Sequence, residues 1–90
     1  MKVDLRDTVV LVTGASGGIG AALSRTLAGA GATVAVHYHS GEQAARELAE
    51  AIGNNADCFQ ADLGDPSVGG TLFDAVVERY GRVNVLVNNA

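Results

Sequence analysis

Thr13-Gly14-Ala15-Ser16-Gly17-Gly18-Ile19-Gly20 decides the reading of this chain, because it joins two segments of different hydrophobic period. Before it, Thr8 to Val12 is a short, nearly continuous apolar run rich in valine, the pattern of a strand covered on both faces in a parallel sheet. After it, Ile19, Leu23, Leu27 and Ala30 recur at intervals of three and four, which puts them on one face of a helix ended by Gly31. The residues between are a strand-to-helix turn. Gly14 permits its tightness, Gly18 lets another group approach the backbone, and Gly20 lets the helix pack closely. The helix start adds free N–H groups and partial positive charge, so the turn suits an anion.

Working outward, Thr33 to Tyr38 is a second β-branched run. It is followed by Ser40-Gly41-Glu42-Gln43, which has the Ser-x-x-Gln form of a helix capping box. In the helix that follows, Ala44, Ala45, Leu48, Ala49 and Ile52 form the expected buried face, Glu42, Arg46 and Glu50 lie four apart on the solvent side, and Gly53 closes it. Ala56 to Leu63 contains a third short strand. Asp65-Pro66 reads as the cap and first residue of a third helix, with Val68, Leu72, Ala75 and Val76 facing inward. Gly69-Gly70 weakens that helix by up to ~1 kcal/mol each relative to alanine. Gly81 stops it, and Val83 to Asn88 supplies a fourth strand. Strands alternating with helices of this length imply right-handed crossovers and an α/β fold, a doubly wound parallel sheet with expected strand order 3-2-1-4.

The 90 residues, 48% hydrophobic and 18% charged, fit one compact domain spanning 1–90. The net charge is −4 and the six basic residues are scattered, which argues against nucleic acid as a partner. Cys58 is the only cysteine, so neither an internal disulfide nor a cysteine metal site can form, and it reads as a small buried apolar residue. Lys2, Asp4, Arg6 and Asp7 follow Met1, and no apolar run approaches the roughly 20 residues of a membrane span. The expectation is a cytoplasmic protein with no membrane contact.

The glycine spacing is Gly-x-x-x-Gly-x-Gly, preceded by Thr13. With Ala61-Asp62-Leu63 after the third strand and Leu86-Val87-Asn88-Asn89-Ala90 after the fourth, it resembles the short-chain dehydrogenase/reductase family, nearest to 3-oxoacyl-acyl-carrier-protein reductase-like members. The resemblance covers the whole chain and corresponds to the beginning of such a protein. It implies the first half, plus one strand, of a Rossmann-type nicotinamide-dinucleotide-binding domain, with an incomplete sheet. It also implies that Thr13, Gly14, Gly18 and Gly20 cradle the cofactor while Ser16 and Ile19 contact its phosphates or ribose. Asp62 and Leu63 would sit against the adenine, and Asn88 and Ala90 would line a ribose. Asp62 also has a plain reading as a turn cap, and Asn89 as a brace for neighbouring backbone. Asn84 stands where many relatives have an acid.

An NAD-preferring fold commonly ends its second strand in an acid that binds the ribose hydroxyls. Here Tyr38 takes that place, and His39 and Ser40 at the start of a helix are able to donate to a 2′-phosphate, so NADP(H) is favoured over NAD(H). Against this, Gly17 occupies a position where NADP-preferring relatives often carry a base, and a neutral His39 brings no charge. Glu42 lies beyond the strand, inside the next helix. The family's chemistry uses a tyrosine with a lysine four residues later, and a serine. Four residues beyond Tyr38 and Tyr80 stand Glu42 and Asn84, and Lys2 is the only lysine.

No catalytic residue is therefore assigned, and no metal. The expected function is the cofactor-binding part of a short-chain oxidoreductase that moves hydride between NADP(H) and a carbonyl or alcohol substrate. The 90 residues alone are expected to be inactive and marginally stable, with an exposed fourth strand, and a full-length relative to be a homo-oligomer. Two alternatives stand beside this reading. One is a non-catalytic dinucleotide-binding module. The other is a pteridine reductase-like enzyme, which His37-Tyr38-His39-Ser40 resembles, although those relatives often have a basic residue at the place of Gly18.

Overall fold

Val9–Val12 (β1), Thr33–Tyr38 (β2), Asp57–Gln60 (β3) and Val85–Val87 (β4) form one parallel sheet in the order β3-β2-β1-β4. The computed structural model describes residues 3–89, so the Ala90 expectation lies outside the described residues. Helices α1 (Gly18–Gly29), α2 (Glu42–Ile52) and α3 (Val68–Tyr80) connect the strands. In register, Val9 stands opposite Thr33, Val10 opposite Val85 and Ala35 opposite Asp57.

The continuous apolar runs of β1 and β2 follow from burial on both faces. Val10, Val12, Val34 and Val36 face α1 and α2, where they pack with Ala28, Ala45 and Leu48. Val9, Leu11 and Ala35 face the other way, into a second cluster with Leu72 and Val76 of α3. Half-buried Cys58 packs against the first cluster, where burial pushes its thiol pKa up.

Helix α1 turns a different face inward from the one its large residues suggest. Gly20, Ser24 and Ala28 are buried, whereas Ile19 is 74% and Leu23 36% exposed. Small residues four apart let the helix lie close to the turn and sheet, and the buried Ser24 hydroxyl donates to the Gly20 carbonyl at 2.8 Å. Ala44 of α2 and Ala75 of α3 are likewise exposed, leaving Ala45, Leu48 and Ala49, and Leu72 and Val76, as the buried stripes.

Two helix starts differ from their sequence signals. Gly41, left-handed at φ 81°, is the N-cap of α2 and makes no side-chain cap bond, so Ser40 and Gln43 stand one residue out of register for a capping box. Helix α3 begins at Val68 instead of Pro66. The Asp65 carboxylate accepts the Ser67 N–H at 2.9 Å and the Ser67 hydroxyl at 2.7 Å, closing a turn ahead of the helix and lowering the Asp65 pKa. Beyond β1, Val85 and Leu86 of β4 are 43% and 56% exposed.

Candidate nucleotide site

The glycine turn leaves the end of β1 and is anchored on its inner side. The Thr13 N–H donates to the Val87 carbonyl at 3.0 Å, and the Thr13 hydroxyl accepts the Asn89 N–H at 2.9 Å while lying 3.2 Å from Asn88 Oδ1. Gly14 has φ 60°, a conformation open to glycine at no steric cost. Its carbonyl accepts Asn89 Nδ2–H at 3.2 Å. The bracing role read for Asn89 is thus present as a hydrogen bond. Asn84 ties the same pair of strands at their other end: Oδ1 accepts the Val9 N–H at 2.8 Å and its N–H donates to the Val9 carbonyl at 2.9 Å.

Sequence reasoning missed His37 as part of this anchoring. Buried at 2% exposure, it accepts the Gly14 N–H on Nδ1 at 3.0 Å, and Nε2 donates to the Ala61 carbonyl at 2.8 Å. Its own carbonyl accepts the Ala15 N–H at 2.9 Å. Nothing in the local pattern points to it, because the partners lie 23 and 24 residues away along the chain. Gly20 completes the inner side: a Cβ there would stand 2.4 Å from the Gly14 oxygen and 2.9 Å from the Ala15 Cα.

The outer side of the turn is open. Gly17 is the extended N-cap of α1 without a side-chain cap bond, and the first turn of α1 carries no acidic residue. Neither the amide groups nor the positive end of the helix dipole is compensated there by a side chain of α1. Apart from chain neighbours and the helix's own backbone, a Cβ built on Gly17 or Gly18 would meet no atom of the described residues within 4 Å. Packing among the described residues therefore does not require glycine at these two positions. Ser16 lies alongside Gly41, at the start of α2.

The remaining sequence candidates fall into two groups. Leu63, with Leu72, Phe73 and Leu86, lines an apolar groove that has Thr13 and Asn88 at its polar end. His39 and Ser40 are exposed after β2, with His39 Nε2 3.9 Å from Asp62 Oδ2. Asp62 Oδ1 accepts the Gly64 N–H at 2.9 Å, so Asp62 does cap a turn.

Tyr38 stands apart from both groups. It is 6% exposed within the α1–α2 core, and its hydroxyl donates to Glu42 at 3.3 Å. Burial, then the Glu42 charge, push its pKa up. The second Glu42 oxygen takes Arg46 Nε at 3.3 Å. Glu42 is thus engaged within α2 and at the β2 end. Among the described residues no cluster of His, Cys, Asp or Glu is built to hold a metal ion, and no helix is long and apolar enough to cross a membrane.

Comparison with known proteins agrees with this geometry. The sequence profile of the family described as short chain dehydrogenase matches residues 8–90. An uncharacterized oxidoreductase of Methylorubrum extorquens is 44% identical over 89 residues, which are 96% of this chain and 36% of that protein. The chain therefore spans about a third of the length of such a relative. A short-chain dehydrogenase/reductase homolog of Bacillus subtilis is 40% identical over 91 residues, covering 98% of this chain and 84% of the relative. The crystal structure of a short chain dehydrogenase from Burkholderia cenocepacia in complex with NADP superposes with a TM-score of 0.91 at 40% identity, over 96% of this chain and 36% of that one. With the parallel β3-β2-β1-β4 sheet, the glycine turn before α1 and a profile match over nearly its whole length, the chain belongs to the short-chain dehydrogenase/reductase family.

Proposed function

We propose that this chain is the dinucleotide-binding part of a short-chain oxidoreductase that uses NADP(H) and a carbonyl or alcohol substrate. The observation that carries the reading is the start of α1, whose first-turn amides lack a side-chain cap and an acidic neighbour beside two glycines whose added Cβ would be free of protein contact. Backbone amides of Ser16 to Gly20 would hold the pyrophosphate, Asp62 and Leu63 would border the adenine, and Asn88 with Thr13 would border a ribose. The bound nicotinamide supplies hydride exchange. The residues of this chain bind and orient it, and no Tyr-x-x-x-Lys pair occurs among them to move a proton.

The preference for NADP(H) rests on the end of β2. No carboxylate follows Tyr38 directly, Glu42 is held by Tyr38 and Arg46, and exposed His39 and Ser40 would be free to donate to a 2′-phosphate. That a relative from Burkholderia cenocepacia was crystallised with NADP supports the same choice. Calorimetric titration with NADPH and with NADH tests both parts. Tighter NADPH binding is expected; tighter NADH binding overturns the preference, and heat from neither overturns the site.

A second reading, a dinucleotide-binding module without catalysis of its own, is favoured by the Bacillus subtilis homolog, 84% of which this chain spans. Reading the coding region past Ala90 for a serine and a Tyr-x-x-x-Lys, and following NADPH absorbance with carbonyl substrates on the full translated product, distinguishes the two. Turnover excludes the module reading, and its absence overturns the oxidoreductase reading.

A further inference from the structure

We infer that His37 is the positioning residue that sets the glycine turn for the dinucleotide, an inference that rests on the binding reading above. Its ring joins two walls of the site. Nδ1 receives the Gly14 N–H on the phosphate side, and Nε2 donates to the carbonyl of Ala61, the residue before Asp62 and Leu63 on the adenine side. A ring that accepts on Nδ1 carries its proton on Nε2, so a single neutral tautomer satisfies both contacts. Two backbone bonds run parallel to the ring: the Ala15 N–H to the His37 carbonyl at 2.9 Å, and the Ala61 N–H to the Tyr38 carbonyl at 3.0 Å.

The consequence lies in the orientation of the turn. Gly14 adopts φ 60°, and its N–H and C=O are fixed from opposite sides by His37 and Asn89. With the amides of Gly14 and Ala15 directed inward, the turn leaves the amides that follow them for an anion. Loss of the acceptor at Nδ1 would free the Gly14 peptide to rotate and blur the directions of those amides before a ligand arrives, lowering affinity through lost preorganisation. At 2% exposure the His37 ring is shielded from a bound ligand, so it acts through Gly14.

Two substitutions separate the two ends of the ring. In His37→Asn the side-chain oxygen takes the place of Nδ1 and keeps the Gly14 bond but cannot reach Ala61. In His37→Gln the amide nitrogen takes the place of Nε2 and keeps the Ala61 bond but offers Gly14 no acceptor. Each variant loses one buried hydrogen bond, so their unfolding midpoints should fall by similar amounts. Their affinities should not. NADPH binding by calorimetry is expected to weaken roughly tenfold in His37→Gln and less than about threefold in His37→Asn.

Equal loss of affinity in the two variants, or none in either, overturns the positioning role while leaving the dinucleotide reading intact. Absence of NADPH binding by the unsubstituted chain removes both. If a variant does not fold, the unsubstituted chain still decides. Its ¹⁵N spectrum is expected to show the ring proton on Nε2 and a scalar coupling between Gly14 N and His37 Nδ1, and a ring protonated on Nδ1 overturns the inference.

Discussion

At Gly20 one added carbon would stand 2.4 Å from the Gly14 carbonyl oxygen, whereas at Gly17 and Gly18, in the same turn, it would meet no atom of the described residues within 4 Å beyond its chain neighbours and its own helix. The inner half of the turn, Thr13 to Ala15 with Gly20, is fixed by His37, Asn89 and the end of β4. The outer half, Ser16 to Ile19, is held mainly by its place at the start of α1 and has no side-chain cap. The difference separates glycines that the fold needs from glycines that only something outside the fold would need. It also shows why rigidity and openness coexist over eight residues: one side is tied down so that the other can present its amides in fixed directions.

The two halves of the turn should respond most differently to the same added methyl group. Gly20→Ala forces backbone against backbone and is expected to destabilise the chain by about 3 kcal/mol in urea unfolding. Gly18→Ala should leave stability unchanged or raise it by no more than about 1 kcal/mol, since alanine is the better helix former. Equal losses would mean that the two halves do not differ.

Next in size is the effect of bulk on the open side. Gly18→Val should weaken NADPH binding at least roughly tenfold in a titration while the unfolding midpoint hardly moves. Unchanged affinity would show that nothing approaches the backbone there.

Asn89→Ala removes one donor from the Gly14 carbonyl and should cost about 1 kcal/mol in thermal unfolding, far less than Gly20→Ala, because His37 still holds the other side of the same residue. A loss as large as that of Gly20→Ala would make Asn89 the main anchor.

The smallest effect should come from alkaline titration of one thiol and two tyrosine hydroxyls that lie outside the turn. Burial raises the Cys58 thiol above 9.0 and the Tyr38 and Tyr80 hydroxyls above 10.0 in the folded chain. Between the unfolded and folded values the unfolded chain has released protons that the folded one keeps. Stability is therefore full below about pH 9 and declines as pH rises through that window. Thermal midpoints from pH 7.5 to 10.5 check it, and a rise with pH contradicts the sign (buffers spaced by about half a pH unit resolve it).

Much of this molecule is legible in the chain. Burial on both faces makes β1 and Val34 to Val36 of β2 continuously apolar, and alternation with helices is enough for a parallel sheet. Its order β3-β2-β1-β4 is legible only through the family resemblance, since the same alternation also fits other doubly wound orders. The inward face of α1 is not legible from hydrophobic size, because close packing selects Gly20, Ser24 and Ala28 and leaves Ile19 and Leu23 outside. The start of α2 misleads for a related reason. A left-handed Gly41 takes the cap position, so the Ser40 to Gln43 pattern falls one residue out of place.

At the site, the glycine turn announces itself through spacing, but its support does not. A histidine inside an apolar strand resembles any buried residue, and its link to Gly14 exists only once β1 and β2 are paired. Tyr38 illustrates the reverse. It occupies a suggestive place in the sequence, at the end of β2, while strand alternation directs its ring into the α1–α2 core.

Whether the open half of the turn receives a dinucleotide is decided by following the backbone amide spectrum of the chain as NADPH is added. Saturable shifts are expected, centred on Ser16 to Gly20 and extending to His39, Ser40, Asp62 and Leu63. Shifts confined to other parts of the molecule, or no shifts at all, would contradict it.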